Sequence, residues 1–467
     1  MRYSLCTSLF VQRGRESMEY NDTIRMSEGV PQDAEQLKRL LHSPDESVRA
    51  GAVQHLSNFK PSQALPLLIH ALTDESLLVR QRAIDVLVMH GESDRAVIVE
   101  LVNQLASSDA NIRSGALDAL MRLGKVAVGE LCNALDDESV DRRILAATAL
   151  GSIAEPSATD ALLAHLTDPA ENVRHTVIEA LGNIGDERAT EPLIAVAQHA
   201  DWQLRIAAIN SLGQLRDERA VDTLLSILND KLLRYAVIDA LGAIADSRPA
   251  EALVPFIGSR DSELHARARH ALVQIGQFVE WWGRLIDADS MKRFQQALSK
   301  VTMEGIDALY EDALSEDDEV RAEACYLLGL IPSEVSAEAL VRLLDVPSAS
   351  HRALQALSNN AYSWYALRKL WWNSPQQFKA DWLNTLQEAR TELPAEGIEW
   401  LLELIHAGGP DIQSSALRIL AMQPAHLDIP VEPILDASHH ESSSVRASAV
   451  LVLSRWHDAR VCERLVE

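Results

Sequence analysis

The pattern Val-Arg-x-x-Ala-x-x-Ala-Leu-Gly recurs along the chain with a period of about thirty-one residues, and its clearest copy is Val173–Gly182. An arginine occupies the second position of most copies. The arginines of this ladder are Arg49, Arg80, Arg113, Arg143, Arg174, Arg205 and Arg234, and His265 takes the next position in the series. A period of this length is typical of helical hairpins that bury their apolar faces only against neighbouring hairpins. We therefore predict an all-α fold, a right-handed α-solenoid (superhelix) of stacked hairpins.

The composition agrees with many short helices that share a continuous core. Hydrophobic residues make up 47% of the chain and aromatic residues only 5%, and Ala and Leu enter helices at little entropic cost. The four cysteines, Cys6, Cys132, Cys325 and Cys462, are far apart and form no Cys-x-x-Cys pair, which indicates core thiols in a reducing compartment. The sequence contains no run of eighteen apolar residues, so we expect no membrane-spanning helix. We predict a cytoplasmic protein.

The charge balance excludes one class of partner and favours another. The chain has 43 basic and 68 acidic residues, a net charge of −25 and a pI near 5.0. Such a chain repels a phosphate backbone unless its basic residues are segregated, and the sequence contains no basic block. We therefore expect no nucleic acid as partner, and instead one or more proteins with a basic patch.

Three stretches carry a resemblance to a known family. They read ENVRHTVIEALGNIGDERATEPLI, WQLRIAAINSLGQLRDERAVDTLL and LLRYAVIDALGAIADSRPAEALV. This repeat resembles the short bacterial HEAT repeat, a form also found in phycobilin-lyase subunits. The resemblance covers residues 32–276 and resumes at 311–331 and 401–467. It implies the solenoid fold, and it leaves the activity open because one fold serves many functions.

The repeat divides the chain into four segments. Residues 1–31 form a non-repeat N-terminal segment, predicted either to be disordered or to precede a later start at Met18 or Met26. Residues 32–276 hold eight regular HEAT-like repeats. Residues 277–400 hold degenerate repeats with most of the tryptophans, and residues 401–467 hold C-terminal repeats and a cap.

The arginine ladder has two interpretations. Seven arginines in register are able to form a basic stripe for an anion. Alternatively, each arginine pairs with a turn aspartate of its own repeat or of a neighbouring one, such as Asp74 or Asp168, as the resemblance to HEAT repeats implies. A paired arginine has little capacity left for a ligand, so we predict a structural ladder.

A second series of side chains, which we call the polar row, follows each ladder position by five residues. Its members are Gln54, Asp85, Asp118, Thr148, Glu179, Asn210, Asp239 and His270. We predict that this row lines the concave face of the solenoid, where its carboxylates Asp85, Asp118, Glu179 and Asp239 bind a basic or helical element of a partner. The alternative is a row that serves only solubility. No two of these carboxylates are singled out as an acid–base pair, so we predict no catalytic residues.

The tryptophan doublets Trp281-Trp282 and Trp371-Trp372 depart most clearly from the repeat. Adjacent residues on a helix point about 100° apart, so a doublet buries both rings with difficulty. The unburied ring is either an anchor for a protein partner or a filler of irregular gaps. The sequence contains no phosphate-binding loop, dinucleotide motif or metal-ligand spacing, so we expect no cofactor and no metal site.

These observations favour a non-enzymatic scaffold or adaptor that holds proteins through the polar row and the aromatic region. The alternative, implied by the resemblance, is a maturation or assembly factor, either a chromophore lyase or a chaperone of a cofactor enzyme. Such a factor binds an apolar cofactor or an immature subunit. Lyase activity is the only enzymatic function that the resemblance supports.

Overall fold

A computed structural model describes residues 34–283, 288–360, 362–371, 379, 382–384, 386–387, 393–423 and 429–455 of this chain. Throughout these residues the regular structure is helical and no strand occurs. The prediction of an all-α solenoid is confirmed. None of the described helices combines the length and apolarity needed to cross a bilayer. The chain divides into two compact units, Met1–Leu215 and Arg216–Glu467.

The first unit is a stack of helical hairpins. Its described α-helices are α1 (Ala34–Leu40), α2 (Glu46–His55), α3 (Pro61–Ala71), α4 (Leu77–Ser93), α5 (Arg95–Gln104), α6 (Ala110–Leu123), α7 (Val128–Ala134), α8 (Val140–Ile153), α9 (Thr159–Ala164), α10 (Glu171–Ile184), α11 (Thr190–His199) and α12 (Trp202–Leu215). The even-numbered members are the second helices of the hairpins, and from α2 to α10 each packs against the next second helix of the unit.

The boundaries of these helices follow from local chemistry. Asp109 caps α6, because its carboxylate accepts hydrogen bonds from the amides of Asn111 and Ile112. The helix α10 ends at Gly185, whose φ of +73° is a left-handed conformation that favours glycine. The start of α6 and the end of α10 are therefore determined by residues within one period of the sequence.

Close packing between second helices requires a residue without a side chain at Gly151. A Cβ at this position of α8 would lie 2.8 Å from the Cα of Ala180 on α10. Atoms this close overlap, so only glycine lets the two helices approach to this distance.

The second unit repeats the hairpin plan with one change. Its described helices are α13 (Val221–Ile227), α14 (Arg234–Ile244), α15 (Ala250–Leu253), α16 (Ser262–Gly283), α17 (Ala288–Leu298), α18 (Met303–Asp312), α19 (Asp318–Leu330), α20 (Glu334–Leu343), α21 (Ser350–Leu357), α22 (Ser363–Leu370), α23 (Ala395–Ala407), α24 (Pro410–Met422), α25 (Glu432–Ala437) and α26 (Ser443–Leu453).

The change is a register step after α16. Two helices, α17 and α18, lie between α16 and α19 in the sequence, and yet α16 packs directly against α19. The interval from His265 to Arg321, which is shorter than two periods, thus corresponds to one step of the stack of second helices. The helix α16 also continues across the predicted segment boundary at residues 276 and 277.

Candidate functional site

Most arginines of the ladder bind the turns that precede their own helices, whereas Arg205 donates to the carbonyl oxygen of Ala197 within α11. Arg113 donates to the carbonyl oxygen of Ser107 over 2.7 Å, and Arg174 donates to that of Asp168 over 2.8 Å. Some members also reach the next repeat, as Arg49 does by bonding to Asp74 and Arg143 by bonding to Asp168. These guanidinium groups hold turns and repeats together.

The pair of Arg143 and Asp168 is buried. The guanidinium contacts both carboxylate oxygens, at 2.8 and 2.9 Å, and Asp168 is only 6% exposed. Burial opposes ionisation of Asp168, but hydrogen bonds from Arg143 and from the amide of Ala170 outweigh it and keep the pKa of this carboxyl below its ordinary value. The buried side chain of Asp168 therefore needs Arg143 to stabilise its ionised form.

The structure places the polar row on consecutive second helices within each unit, and its charge is mixed. Asp85 forms an ion pair with Arg122 over 2.7 Å, and Asp239 forms one with Arg267. Glu179 lies 3.5 Å from His175 on its own helix. Two of its four carboxylates pair with an arginine of the next second helix, so part of the negative charge of the row is neutralised within the chain. Partner binding by the row stays a prediction.

The tryptophans of the two doublets differ in exposure. Trp281, near the end of α16, is 62% exposed and lies against Phe278, with 6.4 Å between the ring centroids. Trp371 is 2% exposed and packs edge-on against Trp400 at 5.5 Å, so its ring is not accessible to a partner. The side chain of Trp282 and all of Trp372 lie outside the described residues.

The register step creates a feature that sequence reasoning missed, which we call the polar groove. It consists of two adjoining recesses of about 340 and 420 Å³ along α16, α19 and α21. The recesses share His270, Glu319 and Glu323. The groove depends on the direct contact of α16 with α19, which the period does not predict. The one signal in the sequence is the loss of the ladder arginine at His265.

A charged network holds the base of the groove. The buried Arg269 donates to Glu323 over 3.0 Å and also to Asp312. His265 accepts a hydrogen bond from the amide of Gly258 through Nδ1, so its Nε2 carries the proton and donates to Asp312 over 2.8 Å. Burial opposes ionisation of Asp312 and Glu323. Hydrogen bonds donated by Arg269 and by the neighbouring histidines outweigh it, so the pKa of each carboxyl is lowered. The network joins α16 to α18 and α19.

The rim of the groove carries side chains of a different kind. Gln274, Gln277, Gln355 and Asn359 line the larger recess, and none of these side-chain amides bonds to another residue in the described part of the chain. The carboxylate of Glu319 likewise makes no hydrogen bond or ion pair with the described residues. The groove thus presents amide donors and acceptors, with negative charge, to solvent.

His270 provides a direct test of this electrostatic description. Its Nδ1 donates to Glu323 over 2.5 Å, and this hydrogen bond is the main cause that raises the pKa of His270 above its ordinary value of 6.5. We expect Glu323→Gln to lower the pKa of His270, because the neutral amide no longer favours the imidazolium. Titration of the imidazole NMR signals measures the value, with His270→Gln to assign them.

The sign of the effect on stability follows from the same shift. A histidine whose pKa rises on folding stabilises the fold fully below its unfolded pKa, near 6.5, and this contribution is lost as the pH rises through the folded value.

Glu319→Gln is the matched control for the titration of His270, since Glu319 raises the pKa of His270 only through space. An equal decrease in both variants would contradict the assignment to the hydrogen bond.

A family model of HEAT repeats matches residues 34–121, 128–201 and 190–273, which together span just over half of the chain. The chain belongs to the HEAT-repeat family. The resemblance noted from the sequence is confirmed at this level, whereas the phycobilin-lyase-like form stays a prediction. The matched HEAT repeats end at residue 273, so the α19 and α21 sides of the groove lie beyond them.

Two solved structures are similar to this HEAT-repeat chain. The crystal structure of an engineered protein from the Northeast Structural Genomics Consortium is 21% identical, with a TM-score of 0.35 over 84% of this chain and 99% of that one. A structure described by the words "A conserved phosphorylation switch controls the interaction between cadherin and beta-catenin in vitro and in vivo" is 15% identical, with a TM-score of 0.36 over 90% of this chain and 98% of that one. No curated protein matches the sequence.

Proposed function

We propose that this HEAT-repeat protein is a non-enzymatic protein-interaction scaffold and that the polar groove, with the aromatic side chains beside it, is a contact surface. The observation that supports this most directly is the combination on α16 of the groove lining with the exposed pair Phe278 and Trp281. Exposed tryptophan beside a preformed recess is typical of the few residues that supply most of the energy of an interface.

The geometry of α16 brings these features together. Phe278 and Trp281 follow the groove-lining residues Gln274 and Gln277 by four positions each. Each ring therefore lies about one turn further along nearly the same face of the helix. A partner in the groove can therefore contact the rings and the polar lining at the same time. The ion pairs beneath fix the helices in advance, which reduces the ordering cost of binding.

The polar row remains a second candidate surface. Asp118 and Glu179 lie on α6 and α10 of the first unit. Among the described residues, no arginine lies within ion-pair distance of either carboxylate. A maturation or assembly factor remains the alternative function suggested by the resemblance, and a cytoplasmic location remains a prediction. We expect protein partners, and neither nucleic acid nor membrane.

Replacement of Trp281 by alanine should reduce capture of the partner at least tenfold, because loss of an interface tryptophan commonly costs more than about 2 kcal/mol. The measurement is a pull-down from the native host with the tagged full chain, with the captured protein quantified by mass spectrometry. Trp202→Ala is the matched control, since Trp202 is also exposed, at 54%, but lies on α12 of the first unit.

Circular dichroism and thermal unfolding first establish that both variants keep the wild-type helix content. A partner lost by Trp281→Ala and kept by Trp202→Ala supports the groove as the interface. A partner that is kept by Trp281→Ala and lost by the double variant Asp118→Asn/Glu179→Gln moves the interface to the polar row. If the wild type captures no protein reproducibly, the scaffold proposal is wrong.

A further inference from the structure

The residues that line the polar groove indicate the conformation and the charge of the segment that it binds. We propose that the groove binds an extended peptide segment that carries a lysine or arginine side chain. The inference rests on the proposed function and specifies the partner of the same site. Three independent features support it: the unbonded amides, the charge left after internal pairing, and the aromatic rings on α16.

The amides favour an extended backbone over a helix. Gln274 and Gln277 on α16 line the same recess as Gln355 on α21 and Asn359 just after it. Each amide has both a donor and an acceptor, which complements the N–H and C=O groups that an extended chain leaves unpaired. A helical partner satisfies these groups internally and has no need of four amides. The helical docking element expected from the sequence is therefore the less suitable occupant.

The charges favour a cation. Each arginine that lines the groove is paired within the chain: Arg267 with Asp239, Arg269 with Glu323 and Arg352 with Asp318. Glu319 remains without such a partner among the described residues and lies between the two recesses that it helps to line. The residual charge is therefore negative. It attracts a lysine or arginine and repels an acidic segment.

The aromatic pair suits the same side chains. A lysine or arginine has an aliphatic stem that packs against a ring and a charged head that interacts with the ring face. Phe278 is 41% exposed and lies beside Trp281 next to the groove lining. Phe278 follows the lining residue His270 by eight positions, about 12 Å along α16. A peptide with one basic side chain at Glu319 can therefore place a second one against the rings, whereas a glutamine of similar length lacks the charge.

The test uses the full chain and three fluorescein-labelled peptides, (Gly-Lys)5, (Gly-Gln)5 and (Gly-Glu)5, which are flexible and differ in charge. Fluorescence anisotropy measures binding at low and at physiological salt. We expect saturable binding of (Gly-Lys)5, at least tenfold weaker binding of (Gly-Gln)5, and no binding of (Gly-Glu)5. The affinity for (Gly-Lys)5 should fall as salt screens the exposed carboxylates.

Two variants assign this binding to the groove. Glu319→Gln should weaken the binding of (Gly-Lys)5 about threefold, the effect of one exposed ion pair. Gln355→Ala/Asn359→Ala should weaken it about tenfold, through the loss of two or more backbone hydrogen bonds. Asp141→Asn removes one exposed carboxylate of α8 that lies outside both the groove and the polar row, Gln295→Ala removes one exposed amide of α17, and both should leave the affinity unchanged.

Several outcomes would overturn the inference. One is the absence of saturable binding to the wild type. Another is an equal loss in Asp141→Asn and Glu319→Gln, which would show a response to the overall charge of −25. A host partner that Trp281→Ala loses and that Gln355→Ala/Asn359→Ala retains at full affinity keeps the scaffold function and rejects the peptide mode. Failure of the wild type to capture any host protein rejects the scaffold function itself, whatever the peptides do.

Discussion

Replacement of Arg143 by alanine should lower the free energy of unfolding of the first unit by about 3–5 kcal/mol, the usual effect of removing one partner of a buried ion pair. The variant leaves the carboxylate of Asp168, which is 6% exposed, with the backbone amide of Ala170 but without its cation. It also removes the hydrogen bond from Arg143 to the carbonyl oxygen of Asp137. The repeats around α8 and α10 lose both links at once.

The effect should depend on pH in a defined direction. In the wild type the pKa of Asp168 is lowered, so its stabilising contribution is present above the ordinary value of 3.8 and is lost as the pH falls through the folded value. In the variant, burial without Arg143 raises the pKa of Asp168. The difference in stability between the two proteins should therefore begin to shrink above pH 3.8, as the pH falls through the raised pKa of the variant. It should continue to shrink until the pH has passed the lowered pKa of the wild type.

Arg113→Ala is the matched control for this substitution. Arg113 occupies the same ladder position on α6, but within the described part of the chain its side chain donates only to the carbonyl oxygen of Ser107. Its loss leaves no buried carboxylate and should cost about 1 kcal/mol. Amide hydrogen exchange in the full chain measures both effects, since solenoids open locally. Equal losses in the two variants would show that the Asp168 pair contributes nothing beyond an ordinary turn contact.

Replacement of Gly151 by valine should destabilise the first unit by about 3 kcal/mol through overpacking. The new Cβ would lie 2.8 Å from the Cα of Ala180, so a backbone has to move rather than a flexible side chain. The helices α8 and α10 are forced apart, and each repeat stabilises its neighbours in such a stack. Thermal unfolding and hydrogen exchange across α8 to α10 measure the loss.

Gly129→Ala separates this packing effect from helix propensity. Gly129 lies in α7, and a Cβ there meets no atom within 4 Å. The substitution should stabilise the protein by up to about 1 kcal/mol, since alanine favours helix more than glycine does. If Gly151→Ala, the smallest substitution at the close contact, is as stabilising as Gly129→Ala, the contact between α8 and α10 is looser than the structure indicates.

The limits of sequence-based prediction are clear at the ladder. The sequence predicts that the arginines pair with turns, but it leaves open whether an aspartate of the same repeat or of a neighbouring one takes part. In the structure Asp168 serves both neighbours, because its carboxylate binds Arg143 and its carbonyl oxygen binds Arg174. The arrangement requires the spacing between stacked repeats, which only tertiary packing defines.

The tryptophans show a similar limit. Both doublets break the apolar spacing of the repeat in the same way, so the sequence gives no reason to prefer either. Packing separates Trp281, which is exposed at the end of α16, from Trp371, which is buried against Trp400. Exposure depends on which helices follow in the stack, and the irregular region has no period from which to predict them.

The sequence by itself determined the helical hairpin, its length, its caps and its membership of the HEAT-repeat family. Each of these features is encoded within one period, by apolar spacing and by capping residues that act over a few positions. Only the tertiary structure decided the polar groove, because it depends on the contact of α16 with α19 across the register step. The groove joins Gln274 to Gln355, and no local pattern specifies a contact between residues so far apart in the chain.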